Sequence, residues 1–147
     1  MKNVKQCSEK LLGLDIGTKK VGLAWAGIDS FIPKEIGTFL RAGKEAENKI
    51  IELINKYEIR CIVVGIPLLT DNKESPQSGR IKQFVKRIVA RTDGIKIVFQ
   101  DEYLSSEDAK DRLIDRGIIL TEQKNKSRLD SVAACIILER YLETLAK

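Results

Sequence analysis

The sequence predicts an α/β fold in which one five-stranded mixed sheet carries helices on both faces. Two observations predict it: three strand-like runs joined by short turns open the chain, and helical and strand-like patterns then alternate to its end. The length of 147 residues suits one domain, so residues 1–147 are expected to form a single unit. No run reaches the roughly 18 uninterrupted apolar residues of a membrane helix, so we expect no membrane span.

The first three strands are expected to form an antiparallel meander. Residues 11–16 and 21–26 are apolar runs separated by four turn-like residues, which is the pattern of a β-hairpin. A weaker third strand is expected at 35–40, between Pro33 and the turn at Gly43.

Beyond the meander the pattern alternates between helix and strand. Apolar residues from Ala46 to Tyr57 recur every three or four positions, which predicts a helix, and the apolar run at 61–66 predicts a buried strand. The remaining elements are a polar, turn-rich segment at 68–79, a helix from Ile81 to about Asp93, a strand at 95–99, a helix from Ser105 to Gly117 and a helix from Arg128 to Lys147. The strand at 95–99 is expected to have the strands at 11–16 and 61–66 as parallel neighbours.

Composition excludes several kinds of chemistry. The chain has no histidine, which removes His-based triads and imidazole metal sites. Cys7, Cys61 and Cys135 are scattered, and the last two lie in apolar runs and are interpreted as core residues. A net charge of +5 favours polyanionic partners only modestly. No secretory signal is recognisable, so we expect a cytoplasmic location.

Asp15 interrupts the apolar run of the first strand. An unpaired carboxylate inside a sheet is costly, so this residue needs a cation, hydrogen-bond donors or an exposed strand end. The alternative is that Asp15 begins the hairpin turn and bonds to the amide of Gly17.

Two further acidic positions stand where the sheet and the last helix would meet. Asp130 falls on the apolar face of that helix, although Ser127 and Asp130 also have the spacing of a capping box. Asp101 and Glu102 end a strand, and only one of them can share a face with Asp15. Three carboxylates brought together would repel one another unless divalent cations bridged them, and all-oxygen ligands suit Mg²⁺ or Mn²⁺. Two such ions about 4 Å apart are a known device for phosphodiester hydrolysis, which makes nucleic acid the expected substrate.

Five blocks of the chain resemble, in order, the YqgF-type bacterial nucleases, a family of pre-16S rRNA nuclease or Holliday-junction resolvase-like proteins. The blocks are residues 14–22, 63–68, 75–77, Asp101-Glu102 with Ser105-Ser106, and 126–134. The resemblance implies a ribonuclease H-like fold and a metal-dependent endonuclease that matures the 5′ end of 16S rRNA from its precursor. It also implies Asp15, Glu102 and Asp130 as catalytic residues and as ligands of two Mg²⁺ or Mn²⁺ ions.

The chain departs from the family pattern after the Asp-Glu pair. Tyr103 stands where the family usually has arginine, which either weakens phosphate binding or offers a ring that stacks on a base.

Basic residues near these acids are candidate contacts to a nucleic-acid backbone, against the alternative that they are solvated surface. The candidates, with Tyr103, are Lys19, Lys20, Lys124, Lys126 and Arg128. The basic side chains beside Ile81, from Arg80 to Arg91, are interpreted as a solvated face. Residues 71–77 are a candidate flap over the site.

Three alternative functions stay open at this point. The same acids would serve a Holliday-junction resolvase acting on branched DNA. Asp15-Ile16-Gly17-Thr18 also resembles the first phosphate loop of actin-like and sugar-kinase ATPases, although those need two lobes. A non-catalytic nucleic-acid-binding or ribosome-assembly module would bind with salt sensitivity and cleave nothing. The sequence also leaves open whether the protein forms a homodimer.

Overall fold

The computed structural model describes residues 9–28, 32–67, 75–103, 105–120, 122, 125 and 127–146. Its strands are β1 (Lys10–Ile16), β2 (Lys20–Gly27), β3 (Lys34–Leu40), β4 (Cys61–Ile66) and β5 (Lys96–Asp101). Its α-helices are α1 (Glu45–Tyr57), which follows a short 3-10 turn at Ala42–Lys44, then α2 (Pro76–Ala90), α3 (Ser105–Asp115) and α4 (Arg128–Ala146). The order of elements predicted from the sequence is confirmed.

The five strands form one mixed sheet in the order β3-β2-β1-β4-β5. β1 pairs antiparallel with β2 and parallel with β4, so the strand that carries Asp15 is central. Within the described part of the chain, β5 pairs with β4 alone. The expectation that the strand at 11–16 would also be its neighbour is wrong, because β4 lies between them and leaves β5 at the edge.

Helices cover both faces of the sheet, as expected. On one face, alternate residues of β1, such as Leu12 and Leu14, pack with α1 and α2 through side chains that include Ile50 and Phe84. On the other face the intervening residues pack against α4, where Leu11 shares one core cluster with Ala134, Ile137 and Leu138. α3 lies against α4 through Ala109 and Leu113. None of the helices in the described part of the chain has the length and apolar character of a membrane span.

The start of α2 differs from the prediction. The sequence predicts a turn-rich segment to residue 79, yet the helix begins at Pro76. Ser75 caps it by accepting a hydrogen bond from the backbone N–H of Ser78 at 3.1 Å, and proline is favoured in a first helical turn. Residues 71–74 of the candidate flap lie outside the described residues, and 75–77 form the cap and first turn of α2.

The two described cysteines are core residues, as expected. Cys61 and Cys135 are buried on the α4 face of the sheet, and burial raises the pKa of both thiols, that of Cys135 to about 12. They are therefore protonated and unreactive at neutral pH. Cys7 lies outside the described residues.

Candidate active site

A glycine in β2 brings the start of α4 against the strand that carries Asp15. Asp15 pairs with Gly22 across the β-hairpin. A Cβ atom at Gly22 would lie 2.1 Å from the carbonyl oxygen of Asp130 and 2.8 Å from its Cβ. Only glycine leaves room for this contact, because real Cβ atoms do not approach other heavy atoms so closely. The backbone of Asp130 is thus seated directly beside the cross-strand partner of Asp15.

A second glycine makes room for Glu102. Gly65 in β4 pairs with Gln100, and a Cβ atom at Gly65 would lie 3.2 Å from the Cβ of Glu102. The same added Cβ would lie 2.3 Å from Cδ1 of Ile137 in α4. Glu102 therefore lies on the sheet face that α4 covers, the face shared with Asp15 and Asp130.

Asp101 faces the other way because successive residues of a strand alternate between faces. Its Oδ1 accepts a hydrogen bond from the backbone N–H of Tyr103 at 3.0 Å, which closes a local turn. Its carbonyl oxygen accepts one from the guanidinium of Arg140 at 3.1 Å. The structure thus brings Glu102, and not Asp101, to the edge occupied by the other two acids.

Asp15 interacts electrostatically with the other two acids. Burial, followed by the negative charges of Glu102 and Asp130, raises the pKa of Asp15 from 3.8 to about 8. Burial is also the main cause that raises the pKa of Glu102, with a contribution from Asp101. The pKa of Asp130 is raised by burial, against which the nearby ammonium of Lys20 acts. All three carboxylates are thus held where their charged forms are disfavoured.

One carboxylate oxygen of the three acids is buried. Oε1 of Glu102 is buried and has no hydrogen-bond partner within the part of the chain that the structure describes. A buried carboxylate oxygen without a donor is costly, and a cation is one way to satisfy it. Asp15, Glu102 and Asp130 offer carboxylate oxygens, which are the ligands that suit a hard divalent cation such as Mg²⁺ or Mn²⁺.

The carboxylates are close enough to repel one another but are not gathered round a common point. Among the described residues, no group of three or more Cys, Asp or Glu side chains is arranged to hold a metal ion. Shared coordination therefore requires side-chain rotation at this edge.

The predicted nucleic-acid contacts have different surroundings. Lys19 and Lys20 are exposed, and the charge of Lys20 acts on Asp130. Tyr103 has 69% of its surface exposed. Arg128 is already engaged, because its Nε and NH2 groups donate to the carboxylate of Glu35 in β3 at 3.3 and 2.8 Å. Its role as a substrate contact stays a prediction. Lys124 and Lys126 lie outside the described residues.

Sequence reasoning missed the glycines that bring the acids together. Gly22 and Gly65 stand inside strand-like runs, and an isolated glycine in a strand often marks the close approach of another backbone. That signal was available, but the identity of the approaching group was not. Arg41, which contacts the turn after Asp15, was also missed because it follows a weak strand without a recognisable motif.

A family model described as RuvX, Holliday junction resolvase, matches residues 9–144. The chain belongs to the RuvX family. A relative from Chlorobium phaeobacteroides is 33% identical over 139 residues, covering 92% of this chain and 92% of the relative. One from Maridesulfovibrio salexigens is 35% identical over 134 residues, covering 90% of this chain and 97% of the relative. Both relatives carry the name "Putative pre-16S rRNA nuclease".

Solved structures agree with the predicted fold. T. thermophilus RuvC in complex with a Holliday junction substrate matches with a TM-score of 0.58 at 11% identity, covering 92% of this chain and 96% of that one. Another Thermus thermophilus RuvC structure matches with a TM-score of 0.51 at 13% identity, with the same coverage of both chains. At these identities the likeness concerns the fold, and the ribonuclease H-like fold of this RuvX member is confirmed.

Proposed function

We propose that this RuvX protein is a metal-dependent endonuclease that cuts phosphodiester bonds in precursor rRNA during maturation of the 5′ end of 16S rRNA in the cytoplasm. The observation that carries the proposal is the group of three partly buried acids at one sheet edge, where Oε1 of Glu102 has no hydrogen-bond partner among the described residues. Relatives that match over most of the chain are named as pre-16S rRNA nucleases, which supports the choice of substrate.

Each residue of the site has a separate role in the proposal. Asp15, Glu102 and Asp130 hold Mg²⁺ or Mn²⁺, two ions being expected. When bound, the ions supply Lewis-acid stabilisation for the negative charge that develops at the scissile phosphate. Because the pKa of Asp15 is raised to about 8, its carboxyl group gives up a proton when a cation binds at neutral pH.

The exposed groups around the acids position the substrate. Lys19 and Lys20 lie on the rim, where ammonium groups contact a phosphate backbone without reading its sequence. Tyr103 presents an exposed ring on which an unpaired base can stack. A single-stranded or partly unpaired segment of the precursor is therefore the preferred site of cleavage.

A cleavage assay tests the proposal. The chain is incubated with an rRNA precursor carrying the 16S 5′ end, in Mg²⁺, in Mn²⁺ and in EDTA, and the products are resolved on a gel. We expect divalent-dependent cleavage that Asp15→Asn, Glu102→Gln and Asp130→Asn each abolish. Asp101→Asn is the matched control, since it removes the neighbouring carboxylate from the opposite face and should keep most of the activity. Divalent-dependent cleavage by Asp15→Asn at the unsubstituted rate would refute the assignment.

Resolution of Holliday junctions is the second candidate, favoured by the description of the matching family model. A synthetic four-way DNA junction, assayed beside the precursor, separates the two. Cleavage of the junction alone identifies a resolvase. Salt-sensitive binding of either substrate without any divalent-dependent product identifies a non-catalytic binding module instead.

A further inference from the structure

Three arginines gather beside the turn that follows Asp15. The arginine cluster consists of Arg41, which follows β3, and of Arg80 and Arg87, which lie seven positions apart and so share a face of α2. The guanidiniums of Arg41 and Arg87 lie 5.0 and 5.5 Å from the centre of one ring, that of Phe84. The sequence predicts only a solvated basic face for α2, whereas the structure brings two of its arginines to the residue that follows β3.

Arg41 is held in place from two sides. Its NH1 group donates to the carbonyl oxygen of Gly17 at 2.8 Å, and its backbone N–H donates to the carbonyl oxygen of Lys19 at 2.8 Å. Gly17 is two residues beyond Asp15 in the chain. The stacking on Phe84 and the bond to Gly17 therefore fix this guanidinium relative to the acids, while it retains further N–H donors for a ligand.

The positive charge of the cluster is only partly compensated. The buried carboxylate of Glu47 accepts from Nε of Arg87 at 3.1 Å and from NH1 of Arg91 at 2.7 Å, so one acid serves two arginines. Within the described ranges, no carboxylate lies within ion-pair distance of Arg41 or Arg80. Burial and the charges of Arg87 and Arg80 lower the pKa of Arg41, which reflects the mutual repulsion. An anionic ligand would relieve that repulsion.

We propose that Arg41 and Arg80 form a phosphate-binding site that grips the backbone of the substrate strand next to the cleavage position. This inference deepens the proposed nuclease function and rests on it for the identity of the substrate. The planar guanidinium suits a phosphate because it donates two parallel hydrogen bonds. Contacts of this kind hold the strand beside the turn that follows Asp15 and carry no sequence preference.

Binding measured without cleavage tests the site. Fluorescence anisotropy of a labelled single-stranded RNA, and of a DNA of the same sequence, is followed in an Asp15→Asn background from 50 to 200 mM NaCl. We expect Arg41→Gln and Arg80→Gln each to weaken binding about tenfold at the lowest salt and to reduce the slope of log K against log salt by about 0.7. Arg41→Lys keeps the charge and should keep the slope while losing part of the affinity. Equal effects on RNA and DNA indicate that the phosphates, common to both, are the ligand.

Lys86→Gln is the matched control, because Lys86 is an exposed cation on another side of α2. The proposed phosphate site would be overturned if Arg41→Gln and Arg80→Gln bound the nucleic acid with the same affinity and the same salt slope as Lys86→Gln. Arg80→Gln keeps the test valid if Arg41→Gln disturbs the turn at Gly17. Failure of the unsubstituted chain to cleave, with these binding differences intact, counts against the nuclease proposal alone. Absence of measurable binding by the unsubstituted chain counts against both.

Discussion

Replacing Asp15 by asparagine should stabilise the metal-free protein, and the gain should grow with pH. The pKa of Asp15 rises from 3.8 to about 8 on folding, so the folded chain binds more protons than the unfolded chain between these values. The contribution of Asp15 to stability is therefore fully present below pH 3.8 and is lost as the pH rises through about 8. Asparagine cannot ionise, so the variant does not lose stability as the pH rises.

The size of the effect follows from the same shift. At neutral pH the solution is about three pH units above the pKa of Asp15 in the unfolded chain, and each unit corresponds to about 1.4 kcal/mol. The free energy of unfolding that Asp15 costs the protein at pH 7 is therefore at most about 4 kcal/mol. Rotation of the carboxylate toward water lowers that cost, and the asparagine amide is itself polar. We expect Asp15→Asn to raise the free energy of unfolding by about 1 to 3 kcal/mol at pH 8 and by little at pH 4.

Urea unfolding followed by circular dichroism, with EDTA present, measures this difference at pH 4, 6 and 8. Adding Mg²⁺ should then stabilise the unsubstituted chain and leave Asp15→Asn nearly unchanged, because the ion binds only the folded site that keeps all its ligands. Asp101→Asn, whose carboxylate faces away, serves as the control for a change of net charge. A gain that is absent at pH 8, or equal at all three pH values, would show that Asp15 is not destabilised by its surroundings.

Three further changes test the packing that positions the site. Gly22→Ala places a methyl group against the backbone of Asp130 and should destabilise the fold by about 3 kcal/mol in chemical denaturation, whereas Gly79→Ala, with open space around it, should be neutral or slightly stabilising. Glu47→Gln removes the buried carboxylate that pairs with Arg87 of α2 and with Arg91 just beyond it. Because both arginines are partly exposed, a loss of about 2 kcal/mol is expected, and unchanged stability would contradict the importance of this bridge. Burial alone would raise the pKa of Glu35, but hydrogen bonds and charge from α4 hold that pKa below its usual value. The contribution of Glu35 to the free energy of unfolding is therefore lost as the pH falls through the lowered pKa. Glu35→Gln should make the free energy of unfolding fall less steeply at acid pH.

The strands and the acids were predictable because each leaves a local signal. An apolar run bounded by turn residues predicts a strand wherever it lies in the sheet, which is why β1 and β4 are placed within one residue of their observed bounds. An acid such as Asp15 stands out because its apolar surroundings make its charge costly. The same local signal cannot report which strand lies beside which, so the sequence predicts a second parallel neighbour for β5 that the sheet does not provide.

Long-range pairings were not predictable, and they decide which basic residues are available. Arg128 and Glu35 are 93 positions apart in the chain, and nothing in either local sequence announces their bidentate pairing. Arg41 and Arg80 carry the same formal charge as Arg128 but have no such partner among the described residues. A count of basic residues near a motif therefore misjudges a binding surface, because ion pairing within the fold determines which charges remain for a ligand.

The relative position of the acids is set by backbone contacts and not by the carboxylates themselves. Gly22 meets the main chain of Asp130, and Gly65 meets the Cβ of Glu102, so the groups that carry the acids are fixed by packing that needs no charge. The carboxylates can then be held close in spite of their repulsion, since the surrounding core supplies the stability that they oppose. It follows that neutralising an acid should leave the fold in place, while enlarging either glycine should displace an acid even when all three charges are intact. Comparing Mg²⁺ binding by Gly65→Ala and Asp101→Asn, through the thermal shift that the ion causes, separates these effects: the first should lose the shift and the second should keep it.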